Sequence, residues 1–301
     1  MLILTWLSLS TVFAVPCPTG SIKRAGKIKH DAIHEASGLI AGEEWLWIHN
    51  DSGDAPKLYA VTSRGEKRAE ILITDAFSRD WEEMAPFTDQ GKQYFMIGDI
   101  GDNKERKERV HFYVVERPSS STNQPLLYQF TADYGDVGSK DAEAFFVDPI
   151  SQHIILITKG RDGVHHFLQA SFPLPSTQQT SGKTVLEDPQ FRAEHIQFVE
   201  FHQQPFAELP MDRRQQSRFI TSASIHPDGS WIVTRNYLSA KMYHRGAADD
   251  WATVFQQEPC SLPLPLQQQG ETISFSPDGN SLWTVSEGEK QMIYEIHLTF
   301  E

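Results

Sequence analysis

One short pattern recurs along this chain and restricts its fold more than any other feature. Residues 221–235 (TSASIHPDGSWIVTR) and 271–285 (ETISFSPDGNSLWTV) each consist of a strand-like run, a Pro-Asp-Gly turn and a second strand-like run. Asp-Gly supplies the positive φ angles that a tight hairpin turn needs. Residues 141–159 form a third copy, with the turn at Asp148-Pro149. The pattern therefore predicts an all-β fold built from repeated hairpins.

Two further copies, at residues 37–50 and 81–99, extend the pattern towards the N-terminus. Each copy is followed by another strand-like run, and this order at this spacing is typical of a β-propeller. We count five blades, and residues 191–202 leave six as an alternative because they form either an outer strand or part of another blade. The last blade is one strand short. We therefore expect residues 21–30 to close the ring as an N-terminal strand.

The N-terminus predicts export. The run from Met1 to Ala14 is apolar and uncharged and ends in a small residue, which resembles a secretory signal peptide, and it is too short to span a bilayer. The alternatives are a buried strand or a membrane anchor. We expect residues 15–301 to form the propeller domain, as a monomer that is secreted or periplasmic and has no membrane span in the mature chain. Cys17 and Cys260 could then pair as a disulfide that ties the two ends together; the alternative is two free thiols.

The net charge of −13 at pH 7 disfavours nucleic acid or an anionic membrane as a partner. A cation is the easier partner.

Propeller geometry predicts which residues share one rim of the central channel. In each blade the innermost strand begins at the rim where the second strand ends. The strand starts are Glu35, Glu82, Glu143, Thr221 and Glu271. The strand returns are Asn50-Asp51, Gly98-Asp99, Thr158-Lys159, Arg235-Asn236 and Ser286-Glu287.

The rim is rich in oxygen ligands, which suit calcium or another hard divalent cation better than zinc, and no zinc-like His/Cys spacing is present. The predicted metal ligands are Glu35, Glu82, Asp99, Asp102, Asn103, Glu143 and Glu271. The predicted residues for a small-molecule or peptide ligand are Asn50, Asp51, Lys159, Arg235 and Glu287. Lys159 and Arg235 could pair with the acids or hold an anionic group. Alternatively, the acidic residues cap backbone NH groups in turns.

Seven motifs together resemble a family of secreted bacterial β-propeller proteins, most of them hypothetical: residues 35–39 (EASGL), 49–54 (HNDSGD), 80–82 (DWE), 98–103 (GDIGDN), 141–144 (DAEA), 158–159 (TK) and 270–271 (GE). This resemblance implies the fold and no settled activity. In architecture and residue types the chain is also similar to β-propeller phytases, which hold calcium with channel carboxylates and grip phosphate with Lys and Arg, although their signature segments are not matched. Lactonase-type propellers with a channel metal are a third analogy.

Two functions follow from the residues. The first is binding of a cation and a small or peptide ligand at the acidic rim without chemistry. The second is calcium-dependent hydrolysis of a phosphoester or lactone, with Lys159 or Arg235 steadying the anion and Glu143 or Glu271 as the catalytic base. No Gly-x-Ser-x-Gly motif is present, and the spacing places no histidine beside Ser52. The sequence therefore favours binding.

Overall fold

The computed structural model describes residues 15–119, 122–161, 163–172, 174–177, 197–199, 216–246 and 250–300. The expected signal peptide, Met1 to Ala14, lies outside the described residues. None of the helices in these ranges has the length and apolar character needed to cross a membrane.

The described strands form five sheets, which are antiparallel except for one short edge strand. Blade 1 contains β2 (Ala36–Ala41), β3 (Leu46–Asn50), β4 (Lys57–Val61) and β5 (Lys67–Thr74), with β9 (Asn123–Pro125) added in parallel at its outer edge. Blade 2 contains β6 (Trp81–Asp89), β7 (Lys92–Asp99), β8 (Arg109–Glu116) and β10 (Tyr128–Asp133). Blade 3 contains β11 (Ala142–Val147), β12 (His153–Thr158), β13 (His165–Ser171) and β14 (Gln197–Val199).

Blades 4 and 5 complete the ring. Blade 4 contains β15 (Ile220–Ile225), β16 (Trp231–Asn236), β17 (Ala240–His244) and β18 (Cys260–Leu262). Blade 5 contains β19 (Ser274–Phe275), β20 (Ser281–Thr284), β21 (Met292–Thr299) and β1 (Thr19–Lys27). An α-helix, Trp251–Gln256, and two 3-10 turns, Gly135–Val137 and Pro175–Thr177, lie between the strands.

The innermost strands β2, β6, β11, β15 and β19 contact one another in that cyclic order and enclose a central channel. This arrangement confirms the predicted five-bladed propeller. The strand β14, which holds the described part of residues 191–202, is the outer strand of blade 3, and the described ranges contain no sixth blade. The predicted closure is also confirmed, because β1 pairs antiparallel with β21 from Thr19 opposite Thr299 to Lys27 opposite Met292.

The disulfide between Cys17 and Cys260 secures this closure, with 5.4 Å between the two Cα atoms. Cys17 lies just before β1, the outer strand of blade 5, and Cys260 begins β18, the outer strand of blade 4. The bridge therefore joins the two neighbouring blades at the place where the chain closes the ring, as the sequence suggested.

The core lies between the blades, because the two faces of each sheet are covered by the two neighbouring sheets of the ring. Trp47 of blade 1 meets Phe95 of blade 2 edge to face, with 5.7 Å between ring centres. Phe112 of blade 2 meets Phe145 of blade 3 in the same way at 5.2 Å. Such aromatic pairs contribute packing beyond the burial of apolar area.

A β-bulge recurs in the first hairpin of the blades and positions the candidate site. The pairing shifts by one residue between Ala36 and Gly38, between Trp81 and Glu83, between Ala142 and Ala144, and between Ile220 and Ser222. Blade 5 shows the same shift between the bridge Gly270–Ser286 and the pair Ser274–Trp283. The extra residues are Ser37, Glu82, Glu143 and Thr221, and Glu271 occupies the equivalent position in blade 5. Because a bulge re-aims a side chain, these residues meet at one mouth of the channel.

Candidate functional site

The rim of the channel consists of three sets of equivalent positions. The first set contains the bulge residues, Ser37, Glu82, Glu143, Thr221 and Glu271. The second set lies two residues earlier and contains Glu35, Asp80, Asp141, Phe219 and Gln269. The third set follows the end of the second strand and contains Asp51, Ile100, Lys159, Tyr237 and Glu287. The same backbone bond joins the last two sets in three blades, from Asp51 N to Glu35 O, Lys159 N to Asp141 O and Glu287 N to Gln269 O, each 2.8 Å long.

This register corrects one strand alignment. The sequence pattern placed Glu35 beside Glu82, Glu143 and Glu271, whereas the bulge residue of blade 1 is Ser37. Glu35 instead occupies the position of Asp80 and stays half-exposed at the rim. The reason is that a bulge depends on how two strands pair, and nothing in the local sequence marks which residue is the extra one.

Three carboxylates from two neighbouring blades converge at the mouth. Asp51 of blade 1 and Asp80 and Glu82 of blade 2 each offer an oxygen, and these oxygens lie within 4.8 Å of one another. We call these residues the carboxylate triad. Glu82 is buried, whereas the other two are half-buried. A cluster of this kind can hold a divalent cation, because carboxylate oxygens are hard ligands.

The triad carries negative charge that Lys107 and Lys159 offset only in part. Burial, to which the nearby charges of Asp80 and Glu35 add, raises the pKa of Asp51 from 3.8 to about 6. Burial likewise raises the pKa of Glu82 well above its usual value, with Asp51 and Asp80 adding to the effect and Lys159 opposing it. Each raised pKa reports that the ionised form is disfavoured in the metal-free protein. A bound cation would reverse that preference.

Blade 5 adds two acids to the same mouth. Burial raises the pKa of Glu271 to about 8, helped by Glu287 and opposed by Lys159. The hydroxyl of Tyr237 donates a hydrogen bond to Oε1 of Glu271 at 3.1 Å. Burial also raises the pKa of Glu287, with Asp51 and Glu35 contributing. Blades 5, 1 and 2 are neighbours in the ring, so their acids form one continuous acidic arc.

Blades 3 and 4 form an arc of different character. Lys159 forms an ion pair with Glu143, and only 8% of each side chain is exposed. Its ammonium group also lies 5.7 Å from the ring centre of Phe219. Lys159 was predicted either to pair with an acid or to hold an anionic group. The structure shows the first of these, because Lys159 forms an ion pair with Glu143. The predictions that Glu143 binds metal or acts as a base remain predictions.

Arg235 lies beneath the rim. Its Nη1 donates to Gln267 Oε1 at 3.0 Å, to Thr272 O at 3.1 Å and to Thr284 Oγ1 at 2.6 Å. The side chain is 1% exposed. The residue that follows the second strand of blade 4 at the rim is Tyr237 and not Arg235. Arg235 lies two positions earlier, and its side chain packs between blades 4 and 5. The predicted contact of Arg235 with a ligand remains a prediction, and the burial of its side chain disfavours such a contact.

The side chain of Asn50, another predicted ligand residue, forms hydrogen bonds with the loops next to it. Its Oδ1 accepts from the backbone NH groups of His34 and Glu35, and its Nδ2 donates to Ala32 O and to Asp54. Asn236 holds the equivalent place in blade 4 and also accepts two backbone NH groups. Both amides therefore shape the loops that carry the rim.

Residues 98–103 (GDIGDN) combine loop structure with the site. The carboxylate of Asp102 accepts from the backbone NH groups of Arg106 and Lys107, and Asn103 accepts from Arg161. Asp99 accepts from Arg79 N at 3.3 Å. The predicted metal-ligand roles of Asp99, Asp102 and Asn103 remain predictions, and one oxygen of each side chain already accepts hydrogen bonds within the protein.

Gly101 is the member of this loop that touches the triad. A Cβ atom at this position would lie 2.1 Å from Glu82 Oε1 and 2.8 Å from Asp80 Oδ2. Only glycine leaves both carboxylates in place. Lys107 also approaches the triad, with its ammonium nitrogen 3.4 Å from Asp80 Oδ2.

Sequence reasoning missed Asp80, Gly101, Lys107 and Tyr237 as site residues. One signal was available, because Asp80 lies two positions before Glu82 just as Asp141 lies two before Glu143. Lys107 and Tyr237 reach the site through tertiary folding, which no local pattern encodes.

Comparison with known proteins gives no family assignment, since no protein-family model matches the chain. Arginase-1 of Xenopus laevis is 30% identical over 67 residues, which are 22% of this chain and 17% of the arginase. Two solved structures of glucose dehydrogenase each align with 91% of this chain at 9% identity and a TM-score of 0.48, and 99% and 98% of their own chains are covered. None of these likenesses transfers a function.

Proposed function

We propose that this protein binds a divalent cation, with calcium as the first candidate, at the carboxylate triad of Asp51, Asp80 and Glu82. The observation that carries the proposal is the approach of the three oxygens to within 4.8 Å of one another. Carboxylates held this close repel, and burying unpaired charge is costly. A cation between them would remove the repulsion that Lys107, beside Asp80, offsets only in part.

The same rim offers a place for a small-molecule or peptide ligand. The acidic arc of blades 5, 1 and 2 would hold the cation, and the arc of Lys159, Phe219 and Tyr237 lies across the mouth. Phe219 is half-exposed, and the side chain of Arg161 also lies over its ring, at 5.8 Å from the centre. A ligand that carries an oxygen group for the cation and an apolar part for Phe219 would fit both arcs. Binding without chemistry is therefore our first choice.

One observation favours the second candidate, a calcium-dependent hydrolase of a phosphoester or lactone. Burial raises the pKa of Glu271 to about 8, so in the metal-free protein its carboxyl group favours the protonated form at neutral pH. A protonated carboxyl group near a metal site can serve as a general acid. In that reaction the cation would polarise the scissile group. Water would attack the polarised phosphorus or carbonyl carbon, and Glu271 would donate its proton to the leaving oxygen as the bond to that oxygen breaks. The proton that the water loses would restore Glu271, and Tyr237 would hold the carboxyl group in place.

Both proposed functions require a cation at the carboxylate triad, and thermal and calorimetric titration with calcium tests this requirement. A ligand present at about 100 times its dissociation constant stabilises the folded state by about 2.7 kcal/mol. We expect wild-type protein to show this gain and to lose it with EDTA, and Glu82→Gln to show neither. Glu116→Gln is the matched control, because Glu116 is exposed and lies at the opposite end of blade 2. A melting temperature that responds to neither calcium nor EDTA would exclude the metal site.

A substrate screen separates the two functions. Phosphoesters and lactones are tested with wild-type protein, Glu271→Gln and Glu143→Gln. Turnover that Glu271→Gln abolishes supports the hydrolase, and calcium binding without any turnover supports the binding protein. Turnover that neither substitution changes would remove both glutamates from the mechanism.

We also propose that the chain is exported and belongs to the family of secreted bacterial propellers that its motifs resemble. The disulfide supports this location, because disulfides persist in oxidising compartments. Expression of the full chain in a bacterium, followed by sequencing of the N-terminus of the exported product, tests cleavage after Ala14.

A further inference from the structure

The central channel is closed in its middle by the side chain of Glu83. This carboxylate belongs to β6 of blade 2, yet it accepts hydrogen bonds from Ser222 Oγ and from Ala223 N, the latter at 3.3 Å, in blade 4. Blades 2 and 4 are not neighbours in the ring, so the side chain crosses the channel. Ser222 Oγ in turn accepts from Ile273 N of blade 5 at 3.1 Å. This network separates the acidic rim from the other half of the channel.

The other half of the channel is a cavity of about 520 Å³. It extends from Leu39, Met84 and Ala223 to the hairpin turns, where Pro149, Pro227 and Pro277 surround the opening. A volume of this order is typical of pockets that bind small molecules. The cavity lies at the opposite end of the channel from the carboxylate triad, so it is not part of the site described above.

The wall of this cavity is mostly apolar, and the serine hydroxyls of its inner part are hydrogen-bonded within the protein. Ser274 Oγ accepts from Ala41 N at 3.0 Å and donates to Phe275 O at 3.3 Å. Ser224 Oγ accepts from Phe275 N at 3.2 Å. Water inside an apolar cavity needs two or more polar partners to be stable, and these hydroxyls already have theirs.

The charged residues near the opening do not favour a charged ligand. Arg117 donates to Gln93 Oε1, and the ring of His226 is hydrogen-bonded to Asp228 Oδ1 at 2.6 Å. Glu43 is exposed to solvent, and its charge is opposite to that of Arg117. The occupant that fits these walls therefore has an apolar surface and no net charge.

We propose that this cavity is a second binding site, separate from the rim, and that it takes a small, uncharged, apolar molecule. The proposal does not depend on the cation site. The three hairpin prolines then have a role beyond the turns, because they lack NH groups and keep the entrance apolar.

Fluorescence titration of the full chain with N-phenyl-1-naphthylamine, an uncharged apolar probe, tests the proposal. We expect saturable binding at one site, stronger than that of the charged analogue 8-anilino-1-naphthalenesulfonate. Ile225→Glu places a carboxylate in the half-exposed part of the wall and should weaken binding by about tenfold or more. Thr88→Trp, at an exposed position beside the cavity, should also weaken binding by narrowing the entrance.

Two variants provide the controls, and thermal melting confirms that each variant is folded. Phe77→Ser removes an exposed apolar side chain outside the cavity, and Glu82→Gln alters the triad; both should bind the probe as wild type does. Probe binding that survives both cavity substitutions, or that Phe77→Ser abolishes, would overturn the proposal. Tighter binding of the sulfonate would overturn the assignment of an uncharged ligand.

Discussion

The substitution Asp51→Asn should stabilise the metal-free protein at neutral pH, although it removes a predicted cation ligand. Burial and nearby acids raise the pKa of Asp51 from 3.8 to about 6 in the folded state. A shift of this size corresponds to about 3 kcal/mol, at about 1.4 kcal/mol for each pKa unit. The folded state holds the proton more tightly than the unfolded state does. The free-energy cost of ionising Asp51 in the folded state is therefore absent below about pH 4, grows as the pH rises, and is complete above about pH 6.

Urea unfolding in EDTA between about pH 4 and about pH 8 measures this effect. As the pH rises through this range, Asp51→Asn should gain about 3 kcal/mol of stability relative to wild-type protein. The comparison cancels the opposing slope of His49, whose pKa burial lowers to about 4 in both proteins. Glu82 and Glu271 also have raised pKa values, so some slope should remain in the variant. With calcium the order should reverse, because only the wild type keeps the full triad. An Asp51→Asn variant that is less stable than wild type at neutral pH in EDTA would refute this reasoning, and Glu116→Gln should follow the wild-type curve.

Three other substitutions test separate parts of the fold and site. Gly101→Ala would place a Cβ 2.1 Å from a triad oxygen, and should weaken calcium binding in calorimetry by about 10- to 100-fold while keeping every carboxylate. Replacing both Cys17 and Cys260 by serine opens a loop that spans 243 residues, and should lower the free energy of unfolding by about 2–5 kcal/mol in non-reducing urea titrations. Lys159→Met leaves a buried carboxylate unpaired and should cost about 3 kcal/mol, and adding Glu143→Gln should restore most of that loss; a double variant no more stable than the single one would contradict the pairing.

The number of blades and their closure could be predicted from the sequence because hairpin turns are local. The Pro-Asp-Gly segments mark two blades directly, and the missing strand of the last blade indicates closure by the N-terminus. Glu82, Glu143 and Glu271 could be predicted as equivalent for a related reason, since each begins an inner strand. Ser37 could not, because the extra residue of a bulge is defined only by its partner strand.

The acidic character of the rim could be predicted from the sequence, but the surroundings of each acid could not. Glu82 and Glu83 are consecutive acids with the same local context, yet the first belongs to the rim and the second closes the channel. Burial raises the pKa of both well above the usual value, but only Glu83 is hydrogen-bonded by Ser222 and by backbone NH groups of other blades. The difference depends on distant residues, because Glu83 is bonded by residues about 140 positions away, whereas Glu82 accepts from Ser37 Oγ at 3.2 Å.

The repeated bulge explains how a nearly symmetric ring carries an asymmetric site. In a regular strand, consecutive side chains point to opposite faces of the sheet, so an inner strand would direct them into the two neighbouring blades. The bulge interrupts this alternation and allows both Glu82 and Glu83 to face the channel. Because the backbone is alike in all five blades, side-chain identity alone makes the acidic arc differ from the arc of Lys159 and Tyr237. A change of binding specificity in this fold therefore needs substitutions at the rim positions and no change of backbone.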